Sequence, residues 1–136
     1  MILVDTSVWS LALRRRRRDL SPAEQRIAFE LRERVIDGSA GLIGAIRQEL
    51  LSGIGSQETF ELLKARLASI PDLPMETGTW ELAAENYHLC REAGITADAI
   101  DMTICAAAHA HHASIFTTDP DFTRYSSLLP IRLYAT

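Results

Sequence analysis

Lysine is nearly missing from this chain: Lys64 stands alone, and every other side chain that is cationic at neutral pH whatever its surroundings is an arginine. Cysteine is almost as scarce. Cys90 and Cys105 lie far apart, without the paired spacing of a zinc knuckle or a redox motif, so both are expected as reduced core residues. With only 7 glycines and 5 prolines, scattered rather than clustered, the sequence has no linker, repeat or low-complexity segment to divide it, the run Arg14 to Arg18 apart. One domain spanning residues 1–136 is expected. No apolar stretch reaches the roughly 20 residues that span a bilayer, and the N-terminus lacks the basic region before an apolar core that marks a secretory signal. A cytoplasmic location with no membrane partner follows as the expectation.

What is present supports a folded catalytic or binding domain. Hydrophobic residues make up 47% of the chain, enough for a real core. The formal net charge of -4 would argue against nucleic acid if charge were evenly spread, but the arginines are clustered. Arginine also suits bidentate phosphate contact better than lysine does.

Ile2 to Val4 is a short aliphatic run that reads as a buried parallel strand ending at Asp5. Val8, Leu11 and Ala12 then recur at helical spacing until the arginines interrupt them. Ser21-Pro22-Ala23-Glu24 combines a capping-box serine and glutamate with proline at the first helical position, and Ile27, Leu31 and Val35 share the face that follows, to a stop near Gly38. Leu42-Ile43 reads as a second strand, followed by a helix through Ile46, Leu50 and Leu51 that carries Glu49 and closes at Gly53. Ser56 can cap a helix with Phe60, Leu63 and Leu67 on one face, and Pro74 to Glu76 is an expected edge strand. A helix from Trp80 to Glu92, with Leu82, Ala83, Tyr87 and Cys90 inward, stops at Gly94. Another starts at Ala99, and Ile115 to Thr117 forms a last strand before Thr118-Asp119-Pro120.

Short strands alternating with helices predict an α/β domain around a parallel sheet, because parallel neighbours need helical crossovers. Ligand sites in such sheets lie beyond the carboxyl ends of the strands. Asp5 and Asp119 hold that position, while Glu49 and Asp101 ride on helices that can border the same crevice. Each acid also has a purely structural account. Asp5 and Asp119 can cap helices, Asp98 looks like an N-cap that puts Asp101 at the third helical position, and Glu49 can be a solvated partner of an arginine. Convergence of all four is harder to explain that way. Carboxylates crowded in one crevice repel unless a cation is bound or some are protonated, and oxygen donors suit Mg²⁺ or Mn²⁺.

The residues carry a resemblance at this point. Met1-Ile2-Leu3-Val4-Asp5-Thr6-Ser7-Val8-Trp9 resembles the opening of VapC-type PIN domains. Gln48-Glu49-Leu50-Leu51-Ser52-Gly53, Asp101-Met102-Thr103-Ile104-Cys105-Ala106-Ala107 and Phe116-Thr117-Thr118-Asp119-Pro120-Asp121-Phe122 are similar to that family's later acidic blocks, in order and spacing. The resemblance implies a three-layer α/β/α sandwich, metal-dependent endoribonuclease activity with Mg²⁺ or Mn²⁺, homodimerisation, and a cognate antitoxin as partner beside the RNA substrate. It assigns Asp5, Glu49, Asp101 and Asp119 to the metal and the catalysis, with Thr6 and Ser7 in support. Asp98 adds a further negative charge, and Asp121 is a second candidate for the fourth acid.

Arg14, Arg15, Arg16, Arg17 and Arg18 form either a solvated loop, an edge that contacts RNA phosphates, or a dock for an acidic antitoxin segment. His109, His111 and His112 lack the carboxylate or cysteine spacing of a metal site. Trp9 and Trp80 read as anchors of core or dimer packing. A receiver domain would want a lysine near the last strands, and a haloacid-dehalogenase-like phosphatase a second aspartate where Ser7 stands. The alternative from another class is a catalytically silent PIN-like module that binds protein or RNA.

Overall fold

The computed structural model describes residues 1–13 and 15–136. Arg14, the first of the arginine run, lies outside the described residues. In chain order the elements are β1 (Ile2–Val4), α1 (Thr6–Leu13), a 3-10 turn at Arg17–Asp19, α2 (Pro22–Ile36), β2 (Ala40–Gly41), α3 (Gly44–Ser52), α4 (Gln57–Leu67), α5 (Thr77–Glu92), α6 (Ala99–Ala110), β3 (Ser114–Phe116), α7 (Asp121–Ser126) and β4 (Arg132–Leu133). The strands form one sheet in the order β2-β1-β3-β4, every pair parallel. Helical crossovers follow from that, and the fold is the expected α/β arrangement of helices around a short parallel sheet.

The strand order reverses between β1 and β3. From β1 the chain crosses to β2 on one side, and β3 later pairs on the other, with Val4 beside Phe116. Asp5 N–H continues the ladder to the Phe116 carbonyl at 2.9 Å. A crevice opens at such a switch point, where diverging connections leave the carboxyl ends of two adjacent strands uncovered.

Packing rests on aliphatic residues that the strands and α6 drive into one core. Leu3, Val4, Ile43, Ile46, Leu50, Cys105, Ala107 and Ile115 are sealed from solvent, and Cys90 joins them. From Met102 to Ala108 every residue of α6 is buried, which makes it the central helix. Trp9 is buried at 3% exposure and its indole N–H donates to the Val4 carbonyl at 3.1 Å, so this tryptophan is a core anchor. Trp80, 52% exposed on α5, is not part of that core.

Helix ends follow the sequence signals closely where these are strong. Ser21 and Glu24 form the reciprocal capping box of α2, with Pro22 at its first position. Gly38 and Gly94, at φ 78° and 74°, take the left-handed conformation after α2 and α5. Three expectations need correction. The second strand is Ala40–Gly41, and Leu42 instead makes an isolated bridge to Asp72. Pro74 to Glu76 forms no strand: Pro74 has no N–H to donate, and its carbonyl is engaged by His111 Nε2 at 2.7 Å. On α5 the buried stripe is Thr79, Ala83, Asn86 and Cys90, with Leu82 and Tyr87 at its margin, because two polar residues share the inward face.

Candidate active site

The acids expected from the sequence meet at the carboxyl ends of β1 and β3. An open crevice of about 650 Å³ is lined by Asp5, Thr6, Ser7, Ser10, Glu49, Asp98, Ile100, Asp101, Asp119 and Asp121. All four principal acids border it. The tightest group among the described residues, however, is Asp101, Asp119 and Asp121, each offering a carboxylate oxygen within 4.8 Å of the others. Asp5 and Glu49 line the same space outside that triad. Asp121, expected in support or as the second candidate for the fourth acid, is therefore a member of the tightest group.

Asp5 is held from three directions. Its Oδ2 accepts from Ser7 Oγ at 2.7 Å, from Thr117 Oγ1 at 2.8 Å and, more weakly, from Ser7 N–H at 3.4 Å. Two hydroxyls on one oxygen fix a carboxylate that is only 6% exposed. Ser7 Oγ also accepts from Thr118 N–H at 3.0 Å, and Thr117 Oγ1 accepts from Asp119 N–H at 3.0 Å. The loop after β3 is thus stitched to the loop after β1 through side chains. Thr117 was not singled out by the sequence, although its place opposite Asp5 follows from the strand register.

Asp119 Oδ1 accepts from Asp121 N–H at 2.9 Å, an aspartate turn that opens α7, and Asp121 Oδ1 pairs with Arg124. Asp98 is the expected N-cap of α6, accepting from Ile100 N–H at 2.9 Å and Asp101 N–H at 3.2 Å. Capping and membership of the crevice are therefore not exclusive. Tyr125, which no sequence signal marked, donates its hydroxyl to Asp101 Oδ2 at 3.0 Å. Burial pushes the Asp101 carboxyl up to about 7, helped by the charges of Asp98, Asp5 and Asp119 and opposed by the Tyr125 hydrogen bond. Burial, with Asp101 beside it, likewise raises the Tyr125 phenol well above its usual value, which keeps it a proton donor.

This donor set fits a hard divalent cation. Every ligand atom on offer is oxygen, the carboxylates destabilise one another's charge, and Thr6 Oγ1, on the crevice wall, is sealed from solvent without a hydrogen-bond partner among the described residues. Among the described residues no histidine belongs to a metal-competent group. Arg15 to Arg18 are exposed but do not line the crevice. Arg15 bonds Glu24 at 2.8 Å and the Asp19 carbonyl at 3.0 Å, and with Arg17 it borders a separate, largely apolar groove of about 450 Å³ that includes Leu13, Phe29 and Ile36.

A parallel sheet with this switch point and an acidic crevice above it defines an α/β class of fold whose ligand sites lie beyond the strand ends. The PIN domain model matches residues 2–128, and the chain belongs to the PIN domain family. Its fold is similar to FitAcB from Neisseria gonorrhoeae, with a TM-score of 0.70 and 20% identity over 99% of this chain and 97% of that one. It is also similar to VapBC2 from Rickettsia felis bound to a DNA fragment from their promoter, with a TM-score of 0.74 and 16% identity over 98% of each chain. VapBC-5 from Mycobacterium tuberculosis, a member of the VapBC family of toxin-antitoxin systems, gives a TM-score of 0.68 and 16% identity over 99% and 98% of the two chains. No curated protein sequence matches the chain significantly.

Proposed function

We propose that this PIN domain is a metal-dependent endoribonuclease that hydrolyses RNA phosphodiester bonds and serves as the toxin of a toxin–antitoxin pair. The observation that carries the reading is the convergence of Asp5, Glu49, Asp101, Asp119 and Asp121 on one open crevice at the β1/β3 switch point. Asp5, Glu49, Asp101 and Asp119 are assigned to Mg²⁺ or Mn²⁺ and to catalysis. Asp121 joins them on the strength of the triad. Thr6, Ser7 and Asp98 support the site, the first by its position on the wall and the others by the hydrogen bonds they make.

When bound, the metal supplies an activated water and charge stabilisation on the phosphate. The chain's own residues do the positioning. Ser7 and Thr117 orient Asp5, Asp98 sets the start of α6 and so the height of Asp101, and the turn at Asp119 fixes where Asp121 enters. Because the crevice is open to solvent, it suits a polymeric substrate better than a small enclosed ligand.

The cognate antitoxin is proposed for the apolar groove, where Arg15, Arg17, Arg32 and Arg66 rim aliphatic and aromatic side chains and suit an acidic amphipathic segment. Arg16 and Arg18, exposed on the same turn, are assigned to RNA phosphates. A homodimer would give exposed Trp80 of α5 a covering surface. No helix among the described residues is long and apolar enough to cross a membrane, and a cytoplasmic site of action is proposed. The test is incubation of purified protein with total RNA, with Mg²⁺, with Mn²⁺ and with EDTA, followed by mapping of new 5′ ends. Cleavage that needs the metal and vanishes in Asp101→Asn supports the reading. RNA bound without any cleavage would return the protein to the silent binding module.

A further inference from the structure

We infer that the Tyr125 hydroxyl is a positioning group for the proposed metal site, holding the Asp101 carboxylate in the one orientation from which it can share a cation with Asp119 and Asp121. The inference rests on the metal-binding reading above and goes beyond it, to a residue that no acidic block contains. Tyr125 lies on α7 and Asp101 on α6, 24 residues apart, and the hydroxyl reaches Oδ2 at 3.0 Å. The phenol ring is 1% exposed and packs edge-on against Phe122, with ring centroids 5.3 Å apart. A ring so enclosed has little freedom, and its hydroxyl is therefore a fixed point rather than a mobile partner.

Asp101 needs such a point. It sits at the open start of α6 with two side-chain torsions, and its Oδ2 accepts no other side-chain donor among the described residues. Engaging Oδ2 restrains the carboxylate and leaves its other oxygen available to a cation. Asp121 and Tyr125 also stand four residues apart on α7, so the helix that delivers one acid of the triad delivers the phenol that orients another. Removing a hydrogen-bond partner of a ligating carboxylate typically weakens metal affinity by about 10–100-fold.

Mn²⁺ affinity, read by calorimetry and by the loss of the free-ion electron paramagnetic signal, tests this directly in wild type, Tyr125→Phe, Tyr134→Phe and Asp101→Asn. Tyr134 also donates its hydroxyl to a carboxylate, that of Glu30, outside the crevice, and controls for loss of a tyrosine–carboxylate bond as such. Tyr125→Phe should bind Mn²⁺ about 10-fold more weakly, recover cleavage at saturating Mn²⁺, and keep the wild-type circular dichroism, while Tyr134→Phe binds normally. Normal Mn²⁺ affinity in a folded Tyr125→Phe, with binding lost in Asp101→Asn, overturns the positioning role and leaves the metal site standing. Absence of binding in wild type overturns the metal reading itself. Should Tyr125→Phe not fold, the unmodified protein still decides: Mg²⁺ binding must perturb the tyrosine ultraviolet absorption, and a calorimetric binding event without that perturbation sinks the inference.

Discussion

Asp101 occupies the third position of α6, where a negative charge favours the helix dipole, yet burial and three other acids disfavour that charge. The balance gives a folded-state pKa of about 7 against an ordinary value of 3.8. Because the folded value is the higher one, protonation of Asp101 stabilises the metal-free fold. That stabilisation is fully present below about pH 4 and is lost as pH rises to about 7. In EDTA, wild type should therefore lose stability between pH 5 and pH 8 and Asp101→Asn should lose less, by about 2 kcal/mol after discounting for the open crevice. Urea melts at the two pH values measure this, and identical pH profiles would sink the account. The same variant should be inactive with any metal. Asp119 and Asp121 separate differently. Asp119 ties to Thr117 through its amide and to α7 through its carboxylate, whereas Asp121 shares its carboxylate with Arg124. Asp119→Asn is expected to cost at least 100-fold in turnover at both limiting and saturating Mn²⁺, and Asp121→Asn to show its defect chiefly at limiting Mn²⁺. Full activity of Asp119→Asn beside an inactive Asp121→Asn would reverse the assignment. Asp5, Asp101 and Asp119 were legible in the sequence because they stand at strand ends and a helix start, whereas Glu49, inside α3, was legible through its block Gln48 to Gly53. Thr117 and Tyr125 were not, since a hydroxyl that works through a carboxylate leaves no spacing pattern.

Elements were legible in proportion to how much of their own chemistry they carry. α2 announces both ends, with Ser21, Pro22 and Glu24 at one and Gly38 at the other. The strands carry far less: β2 and β4 are two residues long, and β4 is exposed, so neither displays a hydrophobic alternation. Their positions come from pairing with β1 and β3, a tertiary effect that a local pattern does not contain. The end of α6 is instructive in the same way. His112 takes φ 52°, the left-handed conformation that Gly38 and Gly94 take after α2 and α5, and Ala113 N–H then closes on the Ala108 carbonyl at 2.9 Å. A histidine at that position hides the stop signal. It also carries a steric cost that glycine would not, so His112→Gly should raise stability by about 0.5–1 kcal/mol with cleavage unchanged, since the histidine lies outside the crevice. Chemical denaturation checks the first point and an RNA cleavage assay the second. A loss of stability would mean that the imidazole makes contacts outweighing the backbone strain.

At the scale of the whole molecule, part of the charge is sorted. Six acids line the β1/β3 crevice, while Arg15, Arg17, Arg32 and Arg66 line the groove and Arg16 and Arg18 stand on the turn beside it. Phosphate would be repelled by the bare crevice, so the RNA reading requires cations there and a basic approach nearby. The arginine run divides on this point. Arg15 is tied to Glu24 and Asp19 and faces the apolar groove with Arg17, whereas Arg16 and Arg18 are not part of the groove lining. Two double variants separate the roles. Arg16→Ser with Arg18→Ser should weaken RNA binding and reduce the log-log salt slope by roughly 1.4, from about 0.7 per lost phosphate contact with single-stranded RNA. Its antitoxin affinity should hold. Arg15→Ser with Arg17→Ser should keep the RNA salt slope and weaken antitoxin binding by about 10-fold, a loss that shrinks at high salt because exposed charges are screened within about 10 Å at 0.1 M. The measurement is a pair of titrations on the same variants, labelled RNA in Ca²⁺, which fills oxygen-lined sites in place of Mg²⁺, and the cognate antitoxin, each across a salt series. If the Arg15 and Arg17 pair lowers the RNA slope while antitoxin binding is untouched, the groove arginines belong to the substrate path and the antitoxin docks elsewhere. If neither pair changes either titration, the run is a solvated turn and the basic approach must come from other arginines.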